Sequence, residues 1–163
     1  SAMPVPTNGE GEHALDTLAP NGRIWASDYD YGGEGVAYHD SGAVNLGEAY
    51  RADEAVDVQS SGEGYTTVGF FEAEEWLEYS IDVQSSGSYL IEYRMASNVG
   101  SSGFKTLVDG EEIDQQAVPN TGGWQNWITQ SETVELLAGT HTLRINAIGP
   151  EWNLNWIRLN LID

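Results

Sequence analysis

The sequence predicts an all-β fold, an antiparallel β-sandwich or jelly roll, on three observations. Apolar residues recur with a period of two, turn clusters separate these runs at fairly regular spacing, and no stretch shows a capped helical period. Tyr89, Ile91, Tyr93 and Met95 alternate with Leu90, Glu92 and Arg94. Leu143, Ile145 and Ala147 alternate with Thr142, Arg144 and Asn146, and Ile157, Leu159 and Leu161 with Trp156, Arg158 and Asn160. Strands of this kind have one face to bury, and stacking two sheets buries it.

The punctuation between the runs is Gly32-Gly33, Ser60-Ser61-Gly62, Ser85-Ser86-Gly87, Gly100-Ser101-Ser102-Gly103, Asp109-Gly110 and Gly122-Gly123. Asp109-Gly110 is a strong hairpin signal, because both residues tolerate positive φ. The run Asp57-Val58-Gln59-Ser60-Ser61-Gly62 recurs as Asp82-Val83-Gln84-Ser85-Ser86-Gly87. No third copy follows, so it is not a repeat architecture.

A chain of 163 residues is the size of one domain. Residues 1–20 are polar and rich in Gly and Pro, with no sustained period. They read as an expression scar (Ser1-Ala2-Met3) and a flexible linker, which leaves 21–163 as the folded unit.

The chain carries 26 acidic residues against 6 basic ones, for a formal net charge of -20, and Lys105 is its single lysine. Such a surface repels phosphate backbones and anionic lipid, so nucleic acid and membrane are excluded as expected partners. It suits a neutral partner, a bound cation or a salty habitat. Cys is absent, so there is no disulfide framework and no thiolate chemistry. Secretion without oxidative folding fits this composition.

Tryptophans beside turns are the first candidates for function. Gly122-Gly123-Trp124-Gln125-Asn126-Trp127 places two next to a flexible turn, and Glu151-Trp152-Asn153-Leu154-Asn155-Trp156 places two more before the last strand. The C–H face of a pyranose packs on an indole, and its hydroxyl rim needs amides or carboxylates as partners. The competing reading is a core role. Trp127 and Trp156 share alternation with apolar neighbours and read as core, whereas Trp124, directly after two glycines, reads as exposed.

Glu72, Glu74 and Glu78 are expected on one face of a strand around Trp76. Paired carboxylates flanking a cleft can hydrolyse a glycosidic bond. With 26 acidic residues, a solvated strand face is the simpler account. His13, His39 and His141 show no metal-ligand spacing, and no nucleophile elbow or phosphate loop is present.

Taken in order, several segments resemble carbohydrate-binding module family 6. They are Tyr29-Asp30-Tyr31-Gly32-Gly33-Glu34-Gly35-Val36-Ala37-Tyr38-His39-Asp40, Tyr50-Arg51, Glu54-Ala55-Val56-Asp57 and Val68-Gly69-Phe70. Glu75-Trp76-Leu77-Glu78-Tyr79, the stretch from Pro119 to Trp127, that from Ala138 to Arg144, and Asn153-Leu154-Asn155-Trp156-Ile157 complete the set. The likeness runs from about Gly22 to Asp163.

The resemblance implies a non-catalytic β-sandwich that keeps a parent glycoside hydrolase, in cis, near its polysaccharide. It implies a sugar held at the loops of one end between Trp124 and Phe70, with Asn153 beneath. Gln59 stands where the family usually has an acidic residue, and Asp57 lies two residues earlier on the same strand face. Phe70 stands where tyrosine is the norm. A second site on the concave sheet face is implied at Trp76 and Glu78. The family's structural calcium uses two glutamates in an Ile-Glu-Ala-Glu start, where this chain has Ile24-Trp25-Ala26-Ser27. Asp28, Asp30 and Asp163 are then the carboxylates left to hold calcium. The expected ligand is a neutral β-glycan, β-1,3-glucan (laminarin) first and agarose or xylan behind it, bound by a secreted monomer. The alternatives are a small jelly-roll glycoside hydrolase and a lectin-like adhesion domain.

Overall fold

The alternation in the sequence folds into two facing sheets in the computed structural model of the chain. It describes residues 13–14, 23–26, 38–39, 58–60, 66–69 and 71–162, with 13–14, 39, 58–60 and 66–67 described as backbone alone. Within these residues the strands are β1 (His13–Ala14), β2 (Arg23–Trp25), β3 (Tyr38–His39), β4 (Val58–Ser60), β5 (Thr66–Val68) and β6 (Trp76–Val83). Then follow β7 (Gly87–Ser97), β8 (Ser101–Val108), β9 (Glu111–Val118), β10 (Gly123–Leu136), β11 (Gly139–Ala147) and β12 (Asn153–Leu161). No helix occurs among them.

The first sheet runs β1-β6-β11-β8-β9, with β3 also beside β6. The second runs β10-β7-β12-β5-β4, with β2 also on β12. All pairings are antiparallel except β1 with β6. Thus two residues of the segment read as linker, His13 and Ala14, run alongside Ile81 and Asp82.

The core lies between the sheets and follows the predicted parity. In the first sheet Leu143 faces Tyr79 and Ile145 faces Leu77 across the ladder. In the second Ile157 faces Tyr93 and Leu159 faces Ile91. All eight are buried, and each such side chain contributes roughly 1.5–3 kcal/mol by leaving water. A two-residue turn joins β8 to β9, Val108 pairing with Glu111. Asp109 has φ 51° and Gly110 φ 86°, as a type I′ hairpin turn requires.

Two tyrosine hydroxyls that enter the core find hydrogen-bond partners there. The Tyr93 hydroxyl lies 2.7 Å from Thr106 Oγ1 and donates to Asp114 Oδ2 at 2.8 Å, tying the second sheet to the first. Burial, assisted by the Asp114 charge, raises its pKa well above the ordinary tyrosine value. Tyr79 donates its hydroxyl to the Ala26 carbonyl at 2.6 Å.

Candidate functional site

One end of the second sheet brings together two of the predicted loop-end residues, Trp124 and Asn153, and a bulge exposes the first of them. In the β7–β10 ladder Gly123 faces Ser97 and Ile128 faces Met95. Four residues of β10, Trp124 to Trp127, therefore oppose Ala96 alone, and the surplus is forced out of the sheet. Trp124 is 42% exposed as a result.

Both flanks of this excursion are fixed. On the near side Thr121 N–H donates to the Ser97 carbonyl at 2.8 Å, and Ser97 N–H donates to Thr121 Oγ1 at 3.1 Å. Gly122 takes φ 92°, and a Cβ added there would lie 3.2 Å from Asn126 Nδ2. The positive φ is what calls for glycine, since the exposed Asn126 amide can give way. On the far side regular pairing with β7 resumes at Ile128.

Asn153, the first residue of β12, is buried and donates its side-chain amide to the Trp124 carbonyl at 2.8 Å. The structure thus joins the two residues. Behind Asn153, Trp152 is fully buried in a stack with Phe71 (4.2 Å between centroids, 6° interplanar) and Phe104 (4.8 Å, 21°). Its indole N–H donates to the Gly149 carbonyl at 2.9 Å. Trp152 is core, although its place before the last strand grouped it with the loop aromatics.

The ladder brings two further strand ends here. Val68, last in β5, pairs with Leu154 beside Asn153, and Val58, first in β4, pairs with Val68. Gln59 lies on β4, opposite Thr67 in backbone register. Phe70, Asp57 and the side chain of Gln59 lie outside the described residues. Asn120, Gln125, Asn126 and Glu151 are exposed polar residues at this end. It is rich in neutral amides, which can donate to and accept from hydroxyls at once. Trp127 is half-buried, and its indole N–H is enclosed without an acceptor among the described residues.

The second sequence candidate lies on the other sheet. Trp76 and Glu78 share the outer face of β6, and Arg144 of β11 sits opposite Glu78. Its guanidinium lies 3.8 Å from the Trp76 ring centroid and contacts Glu78 Oε2 at 2.6 Å. One face of the indole is thus already covered by a cation. The three glutamates expected on one strand face do not share it. β6 begins at Trp76, and Glu74 sits in the preceding turn with φ 75°, so only Glu78 stands beside Trp76 on the strand.

The calcium carboxylates Asp28, Asp30 and Asp163 lie outside the described residues. Trp25, where the resemblance places the first glutamate, offers no side-chain oxygen and sits 4.6 Å beneath the Arg23 guanidinium. The family's glutamate pair therefore has no counterpart there. Among the described residues, no group of three or more His, Asp or Glu side chains could hold a metal ion.

Comparison with known proteins agrees with this architecture. A family model described as "Carbohydrate binding module (family 6)" matches residues 47–160. The C-terminal module of a marine laminarinase from Zobellia galactanivorans is 35% identical, with a TM-score of 0.69 over 85% of this chain and 97% of that one. A module from Cellvibrio mixtus lichenase 5A, solved with cellotriose, is 34% identical, with a TM-score of 0.66 over 86% and 97%. The clotting factor G alpha subunit of Tachypleus tridentatus is 35% identical over 129 residues, 77% of this chain. The chain spans only 18% of that subunit's length.

Proposed function

The chain belongs to family 6 of the carbohydrate-binding modules, and from that premise we propose that it holds a neutral β-glycan at the loop end of the second sheet. Modules of this family are binding domains without catalysis, and they occur within larger glycan-degrading enzymes. The single observation that carries the site is the exposed Trp124, displaced from the ladder by a bulge and held from beneath by Asn153. Its indole takes the C–H face of a sugar, and the surrounding amides take the hydroxyl rim.

In this reading Phe70 supplies the opposing aromatic, and Gln59 and Asp57 contact hydroxyls from β4 and the residue before it. β-1,3-glucan is the first ligand, with agarose and xylan behind it. Support for that order is the 35% identity to a module from a laminarinase. The module is secreted and monomeric, and it raises the local substrate concentration of a parent glycoside hydrolase. A shallow cleft buries few ligand atoms, so the affinity for one chain is modest. A structural calcium on Asp28, Asp30 and Asp163 is part of the same proposal, checked by a calcium-dependent melting temperature that EDTA reverses.

Titration calorimetry with laminarin, agarose and xylan oligosaccharides tests the site. Heat from laminari-oligosaccharides is expected in the wild type and in Trp76→Ala, and is lost in Trp124→Ala. Loss in Trp76→Ala alone moves the site to the first sheet, beneath Arg144. Sugar release by the isolated chain would favour the hydrolase reading, and a protein partner in place of any glycan would favour the adhesion domain.

A further inference from the structure

Ser97, the last residue of β7, is buried, and its hydroxyl is fully used. It donates to the Glu151 carbonyl at 2.6 Å and accepts from Val99 N–H at 3.3 Å and Gly100 N–H at 2.9 Å. One donor and two acceptor positions are all that a serine hydroxyl offers. The main chain of Ser97 pairs with Gly123, and its carbonyl accepts from Thr121 N–H. Three loops are thus pinned to one residue: the β7–β8 turn, the approach to β10, and the β11–β12 loop that carries Glu151.

Held in this way, Glu151 takes a conformation that does not suit it. Its φ is 71°, in the left-handed region that glycine enters freely and a residue with a Cβ does not. Such strain persists only where the surroundings over-determine the backbone. Here they do so on both sides. Ser97 holds the Glu151 carbonyl, while the next residue, Trp152, is stacked with Phe71 and Phe104 and donates its indole N–H to Gly149.

The side chain itself adds nothing to the fold that would offset this strain. Glu151 is exposed, and among the described residues its carboxylate has no hydrogen-bond or ion-pair partner. Glycine would take the same backbone path unstrained. What the carboxylate has is a position. Glu151 stands two residues before Asn153, whose amide holds the Trp124 carbonyl, and one hydrogen bond from Ser97, which faces Gly123. Glu151 and the start of the Trp124 excursion therefore flank the end of β7 on opposite sides.

We propose, on the footing that the loop end holds a glycan, that Glu151 is a specificity-determining contact of that site, its carboxylate accepting hydrogen bonds from hydroxyls of the sugar chain stacked on Trp124. A carboxylate accepts from hydroxyls without donating, and its charge makes each such bond shorter and stronger than one to an amide oxygen. It selects a neutral, hydroxyl-bearing sugar and repels one that carries a carboxylate or sulfate at that place. The strain at Glu151 is then the mark of a side chain kept for the ligand.

Calorimetric titration of the whole chain with laminari-, agaro- and xylo-oligosaccharides, beside thermal unfolding, tests this in Glu151→Gln, Glu151→Gly and Trp124→Ala. Glu151→Gln keeps the size and removes the charge, and should weaken binding about tenfold. Glu151→Gly removes the strain as well, so it should bind at least as weakly while melting no lower than the wild type. A residue that merely supports the loop would not move these two readouts apart. Wild-type affinity in Glu151→Gln, with binding lost in Trp124→Ala, overturns the role of Glu151 and leaves the loop-end site standing. Weak binding together with a lower melting temperature in Glu151→Gly makes the residue a support of the loop and overturns its role equally. Binding that survives Trp124→Ala, or no binding of any of the three glycans by the wild type, overturns the loop-end site itself, and the role of Glu151 with it.

Discussion

Asn153 donates its side-chain amide to the main-chain carbonyl of Trp124 at 2.8 Å, across 29 residues of sequence and from one strand start to another. The asparagine therefore sets where the exposed indole stands, besides any contact of its own with a sugar. Asn153→Ala leaves the Trp124 carbonyl without this donor and should destabilise the fold by about 1–3 kcal/mol. Glycan affinity should fall about tenfold with Trp124 still present, by calorimetry beside a melting curve. A variant that melts lower but binds unchanged would separate Asn153 from the site.

Tyr93→Phe should destabilise by about 1–3 kcal/mol, because it leaves buried Asp114 and Thr106 without the hydroxyl that joins them. Since burial holds the Tyr93 hydroxyl protonated well past the ordinary range, an alkaline absorbance titration should show Tyr93 ionising only as the chain unfolds. The amplitude of that late step should be smaller by one tyrosine in Tyr93→Phe. Urea unfolding gives the stability difference.

The pair His141 and Asp109 makes stability depend on pH. Partial burial works against the imidazolium, but hydrogen bonds to Asp109 Oδ2 at 2.6 Å and the Leu137 carbonyl at 2.7 Å outweigh it and raise the His141 pKa. Partial burial likewise works against the Asp109 carboxylate, but hydrogen bonds from His141 and from Thr142 N–H hold its pKa down. The His141 contribution is complete below the ordinary imidazole value of about 6.5 and is lost as pH rises past its raised folded value. The Asp109 contribution is complete above about pH 4 and is lost as pH falls past its lowered folded value. Their joint support is therefore greatest between about pH 4 and 6.5. His141→Gln should flatten the decline in melting temperature above that window, by under about 1 kcal/mol because Asp109 is well exposed. An unchanged slope would assign the decline to other groups.

Much of the fold was legible because its signals are local. The alternation at Tyr89–Met95 and Leu143–Ala147 marked the buried faces, and Asp109-Gly110 marked its turn. Trp124 was legible as exposed because two glycines precede it. The remainder depends on parity breaks and on partners distant in sequence. A register shift between Leu154 and Trp156 puts Trp156 on the outer face, although its neighbours suggested core. It is nonetheless buried there, beneath Arg158. Glu74 turns the chain with positive φ before β6, which removes Glu72 and Glu74 from the strand. Arg144 reaches Trp76 only because β11 pairs with β6, and nothing near Trp76 in the sequence announces it.

The excursion from Trp124 to Trp127 leaves and rejoins the ladder at two anchored points, Gly123 opposite Ser97 and Ile128 opposite Met95. What lies between can be rewritten in composition, or lengthened, while the hydrogen-bonded frame on either side keeps its register. A graft of these four residues should therefore change which glycan binds while the melting temperature of the scaffold stays close to that of the wild type.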